Sequence, residues 1–156
     1  MMRLVVFSDS HGDRISLEMA IKNESDADAF IFLGDGLRDW EECEDLLRNK
    51  ITVAVRGNCD GSFLPYEKRI IDRLGGIITY CTHGDAEKVK FSLEPLKLNA
   101  SLSGATLALY GHTHTPYKEY DNGLYIFNPG SVRQNSYGIV DITTGGIMCF
   151  HKKIAP

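Results

Sequence analysis

The chain has 156 residues, 43% of them apolar and 24% charged, and a formal net charge of −4. That length buries most of one core but is short for two, so one domain over residues 1–156 is expected. The acidic balance, with Lys and Arg scattered, argues against long DNA or RNA as the main partner; a small anionic substrate stays open, because bound cations invert the local field.

The chain starts with an apolar run, Leu4 to Phe7, that reads as a strand and is too short for a signal peptide. No stretch approaches the roughly 18 apolar residues that a membrane crossing needs, so a cytoplasmic location without a membrane partner is expected. A helix over about 14–24 follows, with Ile15, Met19 and Ala20 as its apolar stripe, then a strand at Ala29 to Leu33. A second helix over 38–48 places Trp40, Cys43, Leu46 and Leu47 inward, and a third strand runs from Ile51 to Val55. Strand, helix, strand, helix, strand predicts parallel pairing through right-handed crossovers.

Beyond Gly61 the texture changes. Lys68 to Asp72 and Ile77 to Cys81 flank Leu74-Gly75-Gly76 as a hairpin. A helical stretch over about 86–100 contains Pro95, which should kink or break it. Short strands are expected at Thr106 to Tyr110, Tyr117 to Tyr120, Leu124 to Phe127 and Tyr137 to Ile142, turning at Asp121-Asn122-Gly123 and Thr144-Gly145-Gly146. This half reads as mostly antiparallel, and the fold class as α/β with an antiparallel second part. Cys43, Cys59, Cys81 and Cys149 follow no C-x-x-C pattern; Cys43, Cys81 and Cys149 read as small apolar residues.

Chemistry is concentrated at strand ends. Asp9-Ser10-His11, Gly34-Asp35-Gly36, Gly57-Asn58-Cys59-Asp60, Thr82-His83-Gly84 and Gly111-His112-Thr113-His114 each follow an apolar run. Loops at the carboxyl ends of strands form the ligand crevice of open α/β sheets, so five such clusters should converge. Asp9 and His11, at i and i+2 of an extended segment, face one way and can reach one ion together. The competing reading is that Asp9 caps the next helix and His11 is a turn residue. Glycines on both sides of Asp35 leave its carboxylate open to close approach. The two histidines of Gly-His-Thr-His have few structural reasons to coexist, whereas His151 reads as a solvated tail residue. Carboxylate and imidazole together suit Mn, Fe, Ni or Zn better than Ca.

The ordered set Asp-x-His, Gly-Asp, Gly-Asn, His-Gly and Gly-His-x-His resembles the calcineurin-like metallophosphoesterases over nearly the whole chain. Asp9-Ser10-His11-Gly12, Gly57-Asn58-Cys59-Asp60, Gly111-His112-Thr113-His114 and Asn128-Pro129-Gly130-Ser131 resemble in particular the small single-domain prokaryotic phosphodiesterases. The resemblance implies a four-layer sandwich, two facing mixed β-sheets flanked by helices. It implies two divalent transition-metal ions, with Mn²⁺ favoured and Ni²⁺, Fe²⁺ or Zn²⁺ acceptable. Asp9, His11, Asp35 and His114 would hold the first, and Asp35, Asn58, His83 and His112 the second, with Asp35 bridging. Hydrolysis of a small phosphodiester by a hydroxide activated between the ions follows, with Asn58 and the ions neutralising phosphoryl charge and Asp35 and His83 in the catalytic set.

Cys59 departs from the wider family, where His after Gly-Asn sits near the leaving oxygen. A neutral thiol is a poor general acid, and a thiolate would be a nucleophile or soft ligand. Arg56 could bind phosphate or be a surface residue, and Asn128 and Ser131 are expected to abut the site. Phe63, Tyr66, Tyr117 and Tyr120 are expected in a homodimer interface or in the substrate cleft, the resemblance favouring a dimer. Two alternatives carry over: a protein-interaction scaffold, as in the retromer subunit of the same fold, and a nuclease for short nucleotides.

Overall fold

A computed structural model describes residues 1–154. Two five-stranded mixed sheets face each other. The first has strand order β10-β9-β1-β2-β3 and the second β4-β5-β6-β8-β7. In the first, β1 (Met2–Phe7), β2 (Ala29–Phe32) and β3 (Ile51–Ala54) are parallel, with Leu4 opposite Ala29 and Phe30 opposite Thr52. The hairpin of β9 (Ser136–Thr143) and β10 (Gly146–Lys153) adds to the other side of β1, antiparallel.

Alternation along the strands sorts their side chains into layers. Leu4, Val6, Ile31, Val53 and Val140 turn inward and meet Cys81, Leu107, Leu109 and Phe127 of the second sheet. Val5, Phe7, Phe30 and Phe32 turn outward, covered by α1 (Arg14–Asn23) and α2 (Leu37–Glu42). On the far side, Tyr80, Ala108 and Ile126 are covered by Leu96 and Ala100 of α3 (Glu94–Leu102). Helix, sheet, sheet, helix is the expected four-layer sandwich.

Several local expectations are corrected. The buried stripe of α1 is Leu17, Ala20 and Ile21, whereas Ile15 is exposed, because the strands beneath α1 dictate which face it buries. The second helix breaks at Cys43: α2 ends and a 3₁₀ turn, Glu44–Leu47, continues, keeping Trp40, Cys43 and Leu47 on the core and leaving Leu46 outside. Pro95 does not break a helix but starts one, since a proline costs no hydrogen bond in the first turn; residues 85–91 are turns instead.

The second half is also less antiparallel than expected. β4 (Arg69–Leu74) pairs antiparallel with β5 (Ile77–Thr82), and β7 (Tyr117–Asp121) with β8 (Leu124–Asn128). Yet β5, β6 (Leu107–Leu109) and β8 run parallel, because α3 carries the chain back across the sheet between β5 and β6. His151 lies in β10 rather than in a solvated tail: its Nε2 donates to the Asn128 carbonyl at 2.8 Å and its ring stacks on Phe127. Among the described residues no helix is long and apolar enough to cross a membrane.

Candidate metal centre

The carboxyl ends of β1, β2 and β3 in one sheet and of β5 and β6 in the other lie together, and the clusters read from the sequence meet there. The backbone makes this convergence possible. Gly34 approaches Gly57 so closely that a Cβ on Gly34 would stand 2.5 Å from the Gly57 nitrogen. Gly111 packs on Ser8 and Asp9, where a Cβ would stand 2.0 Å from Ser8 Oγ. A side chain at Gly34 would force apart the loops after β2 and β3, and one at Gly111 would push the second sheet off the first.

Asp9, His11, Asp35, His112 and His114 all adopt positive φ, between 45° and 70°. This corrects the extended geometry expected of Asp9 and His11. They do reach one place, but on a left-handed turn held by hydrogen bonds from Asp9 N–H to the Gly34 carbonyl and from His11 N–H to the Asp35 carbonyl. Nor does Asp9 cap α1; Asp13 does, accepting from Ser16 N–H. Left-handed backbone at a non-glycine residue costs roughly 1–2 kcal/mol and persists only where surrounding contacts impose it.

The ligand atoms fall into three overlapping groups, each within 4.8 Å: Asp9 with His11 and His114, Asp35 with His83 and His112, and His11 with Asp35 and Cys59. Asp9 Oδ1 lies 3.2 Å from His114 Nε2, 3.4 Å from His11 Nε2 and 3.9 Å from His83 Nε2. Asp35 Oδ2 lies 3.1 Å from His83 Nε2 and 3.8 Å from His11 Nε2. Both carboxylates therefore face imidazoles of both sets.

Asp9 is fully buried. Its Oδ2 accepts from Ser8 Oγ at 2.5 Å and from His112 N–H at 3.0 Å, while its Oδ1 has no hydrogen-bond partner. An unpartnered buried carboxylate oxygen is costly unless a cation compensates it. His83, also fully buried, places Nδ1 2.6 Å from the Leu33 carbonyl, to which it donates, so Nε2 turns its lone pair into the site. Hard oxygens, oriented imidazoles and an orphaned oxygen fit a divalent transition-metal ion.

Charge sets the ionisation states. Burial acts to raise Asp35, but the His83 contact and the Cys59 N–H, 2.7 Å from Oδ1, outweigh it and hold the carboxyl down at about 2. For His83, burial opposes the cation, and Asp35 and Asp9 reverse that, raising it. His112 is lowered, by burial first and then by the neighbouring His83 and Lys90. Burial, then Asp35, pushes the Cys59 thiol up.

Asn58 and Cys59 sit exposed at the rim, with Asn58 Nδ2 donating to Cys59 Sγ at 3.5 Å. Arg56 Nη1 donates to the Ser62 carbonyl at 2.8 Å and braces the following loop. Asn128 donates to the Gly111 carbonyl and to Thr113 Oγ1, and Ser131 Oγ donates to the Asp9 carbonyl, so both support ligand loops from behind.

Three supporting residues escaped the sequence reading. Asp60 accepts from the N–H groups of Asp35, Gly36, Leu37 and Gly57, at 2.8 to 3.0 Å, tying the second cluster to the third. Asp39 accepts from Ser10 Oγ and Gly12 N–H, and Arg133 Nη1 donates to the His11 carbonyl. Asp60 stood inside a noticed cluster and was open to discovery; Asp39 and Arg133 had no local signal. Phe63 is 84% exposed, Tyr117 and Tyr120 are also exposed, and Tyr66 packs partly on the core beside α2.

Comparison with known proteins agrees with this geometry. Residues 2–145 match the family model of the calcineurin-like phosphoesterase superfamily domain. The "Probable metallophosphoesterase MJ0623" of Methanocaldococcus jannaschii is 34% identical over 133 residues, 83% of this chain and 68% of that protein. Phosphodiesterase YfcE of Escherichia coli is 28% identical over 173 residues, covering 90% of this chain and 88% of its own. A crystal structure of a predicted phosphoesterase from Streptococcus pneumoniae superposes with a TM-score of 0.78 at 26% identity, over 97% of this chain and 98% of that one. The chain belongs to the calcineurin-like phosphoesterase superfamily.

Proposed function

We propose that this protein is a dinuclear metal-dependent phosphodiesterase acting on a small phosphodiester. The observation that carries the reading is the unpartnered, fully buried Oδ1 of Asp9, which faces three imidazoles across a site that Asp35 shares. Asp9, His11, Asp35 and His114 would hold one ion, and Asp35, Asn58, His83 and His112 the other. Bound there, the pair supplies Lewis acidity to the phosphoryl oxygens and lowers the pKa of water. Mn²⁺, Ni²⁺, Fe²⁺ and Zn²⁺ all suit this nitrogen and oxygen set.

The chain's own groups complete the chemistry. Asp35, ionised well below neutrality, keeps its charge throughout the working range. His83, fixed by the Leu33 carbonyl, cannot turn its lone pair away. The exposed Asn58 amide stands at the rim, where a non-bridging phosphoryl oxygen would meet it. In hydrolysis an oxygen from water joins phosphorus and the P–O ester bond breaks. The leaving alkoxide takes its proton from solvent. Arg56, spent on Ser62, shapes the loop instead of gripping phosphate.

The test is hydrolysis of bis(p-nitrophenyl) phosphate and of p-nitrophenyl phosphate by chelator-stripped protein, with and without Mn²⁺ or Ni²⁺. Metal-dependent cleavage favouring the diester is expected, and Asp35→Asn should lower it by ~10³-fold or more, the scale of losing a principal electrostatic group. No cleavage with any metal would replace this reading with that of a protein-interaction scaffold on the same fold.

A further inference from the structure

We infer that Cys59 is a sulfur ligand of the metal centre and biases it toward thiophilic ions, Zn²⁺ and Co²⁺, over Mn²⁺. The inference rests on the proposed centre but adds to it a residue, and a soft-donor preference on top of the one that nitrogen and oxygen ligands already give these ions over Mn²⁺. Its basis is that the Cys59 sulfur lies within 4.8 Å of ligand atoms of both His11 and Asp35, each of which also belongs to one of the other two groups. The thiol thus opens onto the space between the two sets of ligands rather than onto bulk solvent alone.

Independent features point the same way. The Cys59 backbone is pinned beside the bridging carboxylate, its N–H donating to Asp35 Oδ1 at 2.7 Å, which holds the root of the side chain at the centre. The Asn58 amide donates to the sulfur at 3.5 Å, casting sulfur as an acceptor. The unpartnered Asp9 Oδ1, 3.4 Å from the same His11 nitrogen, marks this side of the centre as short of a cation. Ligation exchanges the thiol proton for the ion: an S–metal bond forms and one proton leaves to solvent for each ion bound. Thiolate is the soft donor that separates Zn²⁺ and Co²⁺ from Mn²⁺ among ions that accept the same nitrogen and oxygen ligands.

Cobalt gives a readout separate from activity. Co²⁺ added to chelator-stripped protein should produce the near-ultraviolet thiolate-to-cobalt charge-transfer band, together with visible d–d bands. Cys59→Ser should lose the first and keep the second. The other three cysteines remain as internal controls, Cys43 and Cys81 buried and Cys149 half-buried. A matched competition should show Cys59→Ser losing most of the wild-type preference for Zn²⁺ over Mn²⁺. Thermal denaturation of the metal-free variant checks its fold, and Cys59→Ala, which cannot coordinate at all, repeats the test. Visible bands with no charge-transfer band in the wild type, or a band that survives both substitutions, would overturn the role of Cys59 and leave the centre standing. Absence of every cobalt band would remove both.

Discussion

The two ends of the sandwich solve the same problem, reversing the chain between strands, by opposite means. At the end away from the site, turns use residues that tolerate a left-handed backbone: Gly75 and Gly76 between β4 and β5, Asn122 and Gly123 between β7 and β8. At the site end, Asp9, His11, Asp35, His112 and His114 take that conformation despite its cost. Nine non-glycine residues among those described have positive φ, and five are these candidate ligands, so strain follows the chemistry rather than the turns. The deepest buried charge follows it too: Asp9, Asp35 and His83 are nearly or wholly inaccessible, whereas the buried carboxylates of the other end, Glu24 and Asp141, are less enclosed and paired with Lys152 and Arg3. One end is organised for folding, the other for binding a cation, and the second needs support that the first does not.

The largest stability effect should come from removing that support. Asp60 satisfies four backbone N–H groups in two ligand loops, so Asp60→Ala orphans all four. At ~1–3 kcal/mol for each unsatisfied group, discounted because water reaches part of the loop, a loss of about 3–5 kcal/mol is expected by urea denaturation. Asn122→Ala at the opposite end should cost about 1 kcal/mol. Equal losses at the two positions would erase the distinction between the ends.

Asp9→Asn tests the opposing claim, that ligation is stored as instability. In metal-free protein an amide would replace a buried charge whose Oδ1 is unpartnered and would offer an N–H to the facing imidazole nitrogens. We expect the metal-free variant to be more stable by about 1 kcal/mol and to lose the stabilisation that added Mn²⁺ or Zn²⁺ gives the wild type. Thermal denaturation with and without metal reads both. A less stable metal-free variant would show that the unpartnered Asp9 Oδ1 carries no such cost.

How much of this was legible follows the same division. Asp9, His11, Asp35, His83, His112 and His114 could be picked out because polar residues interrupting apolar strands are rare, and one strand end brings them to one place. Helix faces were less legible. Ile15 and Leu17 are both apolar, and only the strands under α1 decide that Leu17 goes inward. Pro95 was seen as a breaker because its neighbours on both sides look helical, and α3 begins there instead. Supporting contacts were least legible: Asp39 and Arg133 act on groups far away in sequence, the Ser10 hydroxyl, the Gly12 N–H and the His11 carbonyl, which no local pattern encodes. His151 was misjudged for the same reason, since its partner Asn128 lies 23 residues back across the sheets.

That misjudged residue gives a smaller effect. Burial lowers His151, and the nearby charges of Lys118 and Lys153 add to it, while the hydrogen bond to the Asn128 carbonyl opposes them. A histidine lowered in the folded state contributes stability that is complete above the unfolded value of about 6.5 and lost as pH falls below it, because the unfolded chain then binds the extra proton. Metal-free wild-type protein should therefore lose stability on passing below about pH 6.5 more steeply than His151→Phe, although the variant starts lower for want of the hydrogen bond. Parallel curves would mean that the slope belongs to His112, which is also lowered, at the other end.

Lys88 separates strain that serves ligation from strain that merely sits nearby. It lies at the site end, in the turns after His83, exposed and at a φ of 54°, but it is not among the candidate ligands. If strain at this end exists for the sake of the ion, that at Lys88 is incidental and removable. Lys88→Gly relieves a left-handed side chain worth ~1–2 kcal/mol and gives part of it back through the greater freedom of glycine in the unfolded chain. A net gain of about 0.5–1 kcal/mol by urea denaturation is expected, with metal-dependent hydrolysis unchanged. The same substitution at His114, equally left-handed, should relieve the same strain while abolishing function. A loss of hydrolysis in Lys88→Gly would make the 85–91 turns part of the site, and the boundary between its two kinds of strain would have to be moved outward.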